Sequence, residues 1–471
     1  MPINSFANYP MSWKPDRSLL ERPIYLSLAA LLEQDIVNGF LAPDTKLPPQ
    51  RELADFLDIN FTTVTRVYKR CELKGLVYAV TGSGTYVSPN AARSITISKT
   101  SSERIDLAFV ASFEQCNSVA ARTLKKIMQK KYLEQLLSYD DPTGMAHHKA
   151  AGINWMERFG VTVAPENMAI ASGTLNAITV TLMGLFSPGD RIAVDYYTFS
   201  NFIELAKLYN VQLVPVESDD EGMLADELDY QCRLADVKGV FLMPSCCNPT
   251  TVMMSDRRKG EIAEVIAKHG LLLIEDDLYA FLTAGIVKDY KRAFFNIIPE
   301  NTIYLCGTSK SICSGLRVAY LAFAEKYKQR IERAIFNINV KTSSLDAEVI
   351  TEMILSGAAD EVIGEKRKLA KTANALFYEY FPDAPKTGHP LAFFRWLPLP
   401  EHAAGREIEK TLQDRGVGVY HSERFLCGRA MPDKYLRVAL ASTPTLGKLR
   451  VGLEIMESVL TVRKGKRKVK K

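Results

Sequence analysis

Nowhere in this chain does an apolar run approach the roughly 18–20 residues that a bilayer-spanning helix needs, although 47% of its 471 residues are apolar. A membrane protein is therefore not expected, and the length suits two or three globular domains. Met1 to Trp13 lacks the charged stretch and apolar core that mark a secretory leader. Cysteine is too sparse for a disulfide framework: there are eight, Cys246 and Cys247 adjacent, with no Cys-x-x-Cys pair. That usage implies free thiols in a reducing cytoplasm rather than a zinc ribbon. Histidine is scarcer still, at six. His147-His148 has no further metal ligand at useful spacing and reads as structural, so no metal is expected. Internal repeats are also missing. The net charge of +5 is not spread along the chain: residues 463–471 hold seven of the cations and no acid, and without them the balance is −2. Such a tail is usually disordered. It serves either non-specific attraction to DNA or simple solubility.

What is present centres on one lysine. Cys306-Gly307-Thr308-Ser309-Lys310-Ser311 is a hydroxyl-rich turn, and Arg317 follows seven residues after Lys310. Upstream, the apolar run Leu271–Ile274 ends in Glu275-Asp276-Asp277-Leu278-Tyr279. An apolar strand ending in acid and tyrosine, then a lysine after Ser/Thr, suits an enzyme that holds an aldehyde cofactor as a Schiff base. Alone, Ser-Lys is common. Ser172-Gly173-Thr174 ends one apolar run and opens an apolar helix, which aims backbone N–H groups at a phosphate; the plainer reading is a capped helix. Asn248-Pro249 follows the run Val240–Met243, which places Asn248 at a strand end, although Asn-Pro is often only a turn. Arg437 lies in a strand pattern, where its fork suits a carboxylate.

Order and spacing carry more than any single motif. Tyr139 to Gly144, Ser172-Gly173-Thr174, Asp195 to Phe199, Asn248-Pro249, Asp276 to Tyr279, Ser309-Lys310, Arg317 and Arg437 together resemble the aspartate-aminotransferase superfamily. These are the fold-type I enzymes of pyridoxal 5′-phosphate, and the resemblance covers roughly residues 105–460. It implies that Lys310 carries the cofactor as a Schiff base and that Asp276 pairs with the ring nitrogen. Asp276 is preferred to Asp277 because it precedes Tyr279 by three, as in the family's Asp-x-x-Tyr. Asn248 and Tyr279 would hydrogen-bond the ring oxygen, and Phe199 would stack on the ring. Thr174, the backbone N–H of Leu175, Ser309 and Arg317 would hold the phosphate, and Arg437 a substrate or effector carboxylate. Lys310, Asp276 and Tyr279 are the catalytic candidates. The chain departs from the pattern at Thr251, where the family has Gly, at Tyr197 for a usual Pro, and at Gly307 for a phosphate-binding Ser. Turnover is left in doubt by these changes, cofactor binding less so.

Residues 22–88 have no place in an aminotransferase. Leu28, Leu31, Leu32 and Ile36 mark a helix after Pro23 and before Gly39. Leu47-Pro48-Pro49 introduces a second helix, and a third is expected from Thr62. In that third helix Val64, Val67, Tyr68 and Cys71 share one face, and Thr62, Arg66, Lys69 and Arg70 another. Gly75 to Val87 reads as a hairpin turning at Gly82-Ser83-Gly84. The strings Leu-Pro-Pro-Gln-Arg-Glu-Leu-Ala (47–54), Asn-Phe-Thr-Thr-Val-Thr-Arg (60–66) and Gly-Ser-Gly-Thr-Tyr-Val (82–87) resemble the GntR-type winged helix-turn-helix. The resemblance implies that the third helix enters the major groove with Thr62, Thr63, Arg66 and Lys69, that Arg51 touches phosphate, and that the wing at Gly82 reaches the adjacent groove. Two usual arginines are replaced by Phe61 and Thr65. Residues 13–90 carry nine Lys/Arg against nine Asp/Glu, so affinity would depend on one basic face and on dimerisation.

The expected organisation is a winged helix at 13–88, a linker at 89–104, an aminotransferase-like α/β domain at 105–462 with a mostly parallel sheet and a small C-terminal subdomain, and a basic tail at 463–471. That combination resembles the MocR-type subfamily of GntR regulators. It implies a cytoplasmic homodimer that binds operator DNA and whose pyridoxal-phosphate domain senses the cofactor or an amine or amino-acid effector. The alternative is an active aminotransferase with a DNA-binding appendage.

Overall fold

The computed structural model describes residues 11–37, 40–42, 44–74, 76–80, 82–88, 104–283, 293–400, 405–427 and 434–461. Gly39, Gly75, the expected linker up to residue 103 and the basic tail lie outside the described residues. The chain divides into two compact units, residues 1–104 and 105–471. Among the described residues no helix is long and apolar enough to cross a membrane.

In the smaller unit α1 spans Ile24–Val37, α2 Gln50–Leu57 and α3 Phe61–Leu73. Pro49 stands at the cap of α2, and Asp58 in a left-handed conformation ends it. Asn60 then caps α3 by accepting from the Thr62 backbone N–H at 2.8 Å. That cap makes Phe61 the first helical residue, one earlier than expected. Leu28, Leu32, Leu53, Leu57, Val64, Val67 and Cys71 are fully buried together. Each such side chain contributes on the order of 1.5–3 kcal/mol, and their periodicity decides which face of α3 stays outside. Strands β1 (Val77–Val80) and β2 (Gly84–Val87) pair antiparallel, with Tyr78 stacked on Tyr86 at 5.7 Å. Gly82, at φ +77°, takes the left-handed conformation in the turn between them.

The larger unit is built on a seven-stranded sheet in the order Met168–Ala171, Ala319–Ala322, Thr302–Gly307, Leu272–Asp276, Val237–Leu242, Arg191–Asp195, Gln212–Val216. All neighbours run parallel except Ala319–Ala322, which is antiparallel to both of its own. The strands Leu272–Asp276 and Thr302–Gly307 are buried at every position, as parallel strands covered on both faces must be. Their carboxyl ends deliver Asp276 and Lys310 to the same edge. A second, antiparallel sheet orders Phe394–Pro398, Tyr435–Ala439 and Tyr420–His421. The long helix Ala358–Tyr380 and the helix Leu446–Leu460 accompany it. Ile105–Asp106 pairs parallel with Val417–Gly418, so the start of this unit is stitched to its C-terminal part.

Candidate functional site

The three consecutive acids at the end of Leu272–Asp276 have different occupations. Glu275 accepts from the backbone N–H groups of Phe294 and Phe295 at 2.9 and 3.0 Å. Asp277 accepts from the Tyr304 hydroxyl at 3.3 Å. Asp276 is buried, and neither of its carboxylate oxygens has a hydrogen-bond partner of normal geometry. Burial, then the neighbouring Asp277, push its pKa up to about 8 against the pull of the Leu278 N–H. A buried carboxyl in this state favours its neutral form, and a positive group beside it would favour the ionised one.

Lys310 lies in the short helical turn Thr308–Ser311 that follows the adjacent strand Thr302–Gly307. Its Nζ donates to the carbonyls of Val110 and, at 3.4 Å, Ala111, and lies 5.5 Å from the Phe109 ring centre. Burial, then the cations Lys366, Arg437 and Arg317, lower its pKa to about 7. A large share of Lys310 is therefore neutral amine near neutral pH, which is the nucleophilic form. Lys366, on the helix Ala358–Tyr380, is fully buried and donates to the carbonyls of Lys310 and Ile312 at 3.0 and 3.1 Å. Nothing in its sequence context marks it; a buried lysine on a helix is visible only once the helix is packed.

The expected phosphate residues meet at the start of the helix Thr174–Leu185. Gly173 stands at its cap with φ +88°. A Cβ there would strike the Arg317 guanidinium, and one on Gly307 would strike Thr174 Oγ1. This close approach is the physical reason for glycine at 307, where the sequence comparison expected serine. Thr174 Oγ1 is buried without a partner. Arg317, at φ +50°, donates from Nη1 to Ser309 Oγ at 2.7 Å. The backbone N–H of Leu175, in the first helical turn, faces the same end. Thr174, Leu175, Ser309 and Arg317 are thus brought together.

On the other side, Arg437 is buried in the strand Tyr435–Ala439. It donates from Nη1 to Asn248 Oδ1 at 3.0 Å and from Nη2 to the Ala108 carbonyl. Its guanidinium lies 5.3 Å from the Tyr420 ring centre and 4.6 Å from that of Phe425, while its Nε has no partner. Burial lowers its pKa to about 10. Asn248 stands in the turn beyond the strand Val237–Leu242, later than the strand end expected from sequence. Tyr279 is buried against Phe393 and Phe394. Phe199 precedes the helix Ser200–Leu208 and is half-buried. The adjacent Thr198 N–H donates to the Phe425 carbonyl at 2.9 Å, which anchors that segment beside Arg437. Tyr420, Phe425 and Phe109 were missed from sequence because no motif surrounds them.

In the smaller unit Arg51, Thr62, Arg66, Lys69 and Arg70 are exposed and Thr63 is half-buried. Arg66 lies 5.5 Å from the Tyr25 ring centre and Arg51 5.8 Å from that of Phe61. Phe61 is itself exposed at 43%. Lys69 pairs with Glu72 at 2.9 Å, which reduces the charge it can offer. Lys46, missed from sequence, passes over the wing: a Cβ on Gly84 would lie 2.9 Å from its Cε.

Residues 24–87 match the bacterial regulatory proteins of the gntR family, and residues 111–454 match aminotransferase class I and II. The chain is 37% identical over 462 residues to the uncharacterized HTH-type transcriptional regulator YdeF of Bacillus subtilis (strain 168), covering 98% of this chain and 99% of that protein. It is 25% identical over 414 residues to the uncharacterized HTH-type transcriptional regulator YjiR of Escherichia coli (strain K12), covering 80% of this chain and 86% of that one. An archaeal alanine:glyoxylate aminotransferase structure superposes with a TM-score of 0.70 at 21% identity, over 78% of this chain and 93% of its own. That likeness shows the fold. The chain therefore belongs to the MocR-type transcriptional regulators of the gntR family, in which a DNA-binding helix-turn-helix is joined to an aminotransferase class I and II domain whose cofactor is pyridoxal 5′-phosphate.

Proposed function

We propose that this regulator reads the occupancy of its cofactor site by an amine or amino acid, or by the cofactor itself, and changes its hold on operator DNA accordingly. The single observation that carries the reading is the pairing of unsatisfied groups of opposite demand around Lys310. No donor reaches the Asp276 carboxylate at normal hydrogen-bond geometry, and no acceptor reaches the Arg437 Nε.

The residues fit the cofactor. Asp276 would hold a proton at the ring nitrogen, and Thr174, Leu175, Ser309 and Arg317 would hold the phosphate. Asn248 and Tyr279 would hold the ring oxygen, Phe199 would cover one face of the ring, and Lys310 would make the covalent attachment. When bound, pyridoxal 5′-phosphate supplies an aldehyde that captures amines and a ring that accepts electrons. Arg437 would orient an incoming carboxylate, its fork released from Asn248 and Ala108. In the smaller unit, α3 would lie in the major groove with Thr62, Thr63, Arg66 and Lys69 toward the bases, Arg51 on phosphate and Gly82 at the tip of the wing. The even balance of charge in this unit favours a homodimer, which doubles the contacts. It would work in the cytoplasm, where DNA and a reduced thiol pool are found.

The alternative reading, a working aminotransferase, draws on the presence of Lys310, Asp276 and Tyr279 together. One experiment separates the two. Purified protein is titrated with amino acids and amines while the visible cofactor band, operator affinity and oxo-acid release are followed. A spectral change with altered DNA affinity and no oxo acid supports the sensor. Oxo-acid turnover without any change in DNA affinity overturns it.

A further inference from the structure

Away from the cofactor site, two adjacent imidazoles converge on one buried carboxylate oxygen. His147 and His148 stand in the first turn of the helix Ala146–Glu157. Their Nε2 atoms lie 2.8 and 2.9 Å from Glu348 Oε2. Glu348 belongs to the helix Ser344–Leu355. Its other oxygen accepts from the Tyr132 hydroxyl at 2.6 Å and lies 3.7 Å from Lys130 Nζ. His148 and Glu348 are buried, at 1% and 2% exposure, while the His147 side chain is about half exposed. The three facing ligand atoms all lie within 4.8 Å of one another.

We propose that His147, His148 and Glu348 form a binding site for a divalent transition-metal cation of the zinc type, with its remaining position open to solvent beside His147. Two imidazole nitrogens and one carboxylate oxygen suit zinc, cobalt or nickel and not magnesium or calcium, which prefer oxygen alone. Zinc sits about 2.0–2.2 Å from such atoms, so a tetrahedral set needs ligand atoms somewhat over 3 Å apart. The two imidazole–carboxylate pairs would open by only a few tenths of an ångström. Tyr132 fixes the second oxygen, as an outer hydrogen bond does in metal sites. The ion would staple the helix Ala146–Glu157 to Ser344–Leu355. Just before the former helix, the Thr143 carbonyl accepts from the Ile170 N–H at 2.9 Å, on the strand that leads to Gly173. The metal would thus brace the frame of the phosphate cradle without touching it.

The test uses full-length protein with its cofactor, stripped of metal by a chelator. It is titrated with zinc chloride by calorimetry and with cobalt chloride by visible absorption. One ion per chain is expected, with a rise in melting temperature on adding zinc and no response to magnesium. Glu348→Gln should abolish uptake, and His147→Ala should weaken it at least ~10-fold, both with the cofactor band unchanged. His147 is half exposed, so its variant keeps the test decisive if Glu348→Gln fails to fold. No uptake would mean that the cluster is a hydrogen-bonded ion pair only, and the proposal falls. It falls equally if uptake is undiminished in His147→Ala, which would put the ion elsewhere.

Discussion

In the smaller unit Arg51, Arg66, Lys69 and Arg70 stand in solvent on an amphipathic helix pair. In the larger, Lys366 and Arg437 are buried and Lys310 has lost most of its hydration. The value of the first set lies in being placed on one face. The second set is held by specific carbonyls, rings and acids, and its protonation depends on them. A recognition surface of exposed cations therefore tolerates replacement gradually, whereas the enclosed site should respond to single changes nearly all or none.

Five substitutions sharpen or break this contrast. Lys310→Ala should give the largest effect: complete loss of covalently held cofactor, seen as a colourless protein with no borohydride-reducible imine, while the operator still shifts in a gel. An imine surviving in that variant would remove Lys310 from its assigned place.

Asp276→Asn should weaken cofactor binding by about 3–5 kcal/mol, the cost of removing one partner of a buried ion pair, and Asp277→Asn should do much less. The same residue predicts a pH effect in the cofactor-free protein. Its folded pKa near 8 exceeds its ordinary value of 3.8, so the folded state holds the proton longer. Stability should then fall as pH rises between those two values, and Asp276→Asn should flatten that slope in thermal melts. An unchanged slope, or a larger effect from Asp277→Asn, would show that the strand end is read one residue out of register.

Arg437→Ala should cost an amino-acid effector about 2–5 kcal/mol while leaving colour and basal DNA affinity intact. An effector response that persists in this variant would dissociate the arginine from sensing. Arg66→Ala should be mildest, costing about 1–3 kcal/mol per lost base contact, with the cofactor spectrum untouched. Equal operator affinity in the variant and the parent would mean that α3 remains in solvent.

Much of this molecule was legible before folding. The faces of α3 follow from the spacing of Val64, Val67, Tyr68 and Cys71, which are all buried. Lys310 and Asp276 stand out in the sequence because strand ends leave a local signature: an apolar run, then acid or hydroxyl. What escaped depends on distant packing. Lys366 meets the Lys310 carbonyl across 56 positions, and Glu348 meets His147 across 201; neither has a periodicity that announces its partner. Glycine at 307 looked like a lost phosphate ligand until the approach of Thr174 explained it. Asn248 was displaced from its expected strand end because Val237–Leu242 stops before Met243.

The stitch at Ile105–Asp106 has one more consequence. The Ile105 and Leu107 N–H groups bond to Gly416 and Gly418, the Ala108 carbonyl to Arg437, and the Val110 carbonyl to Lys310. Six successive residues, Ile105 to Val110, thus hold the C-terminal subdomain, Arg437 and Lys310. A ligand that engaged Lys310 or Arg437 would have to take the place of a backbone carbonyl of this segment.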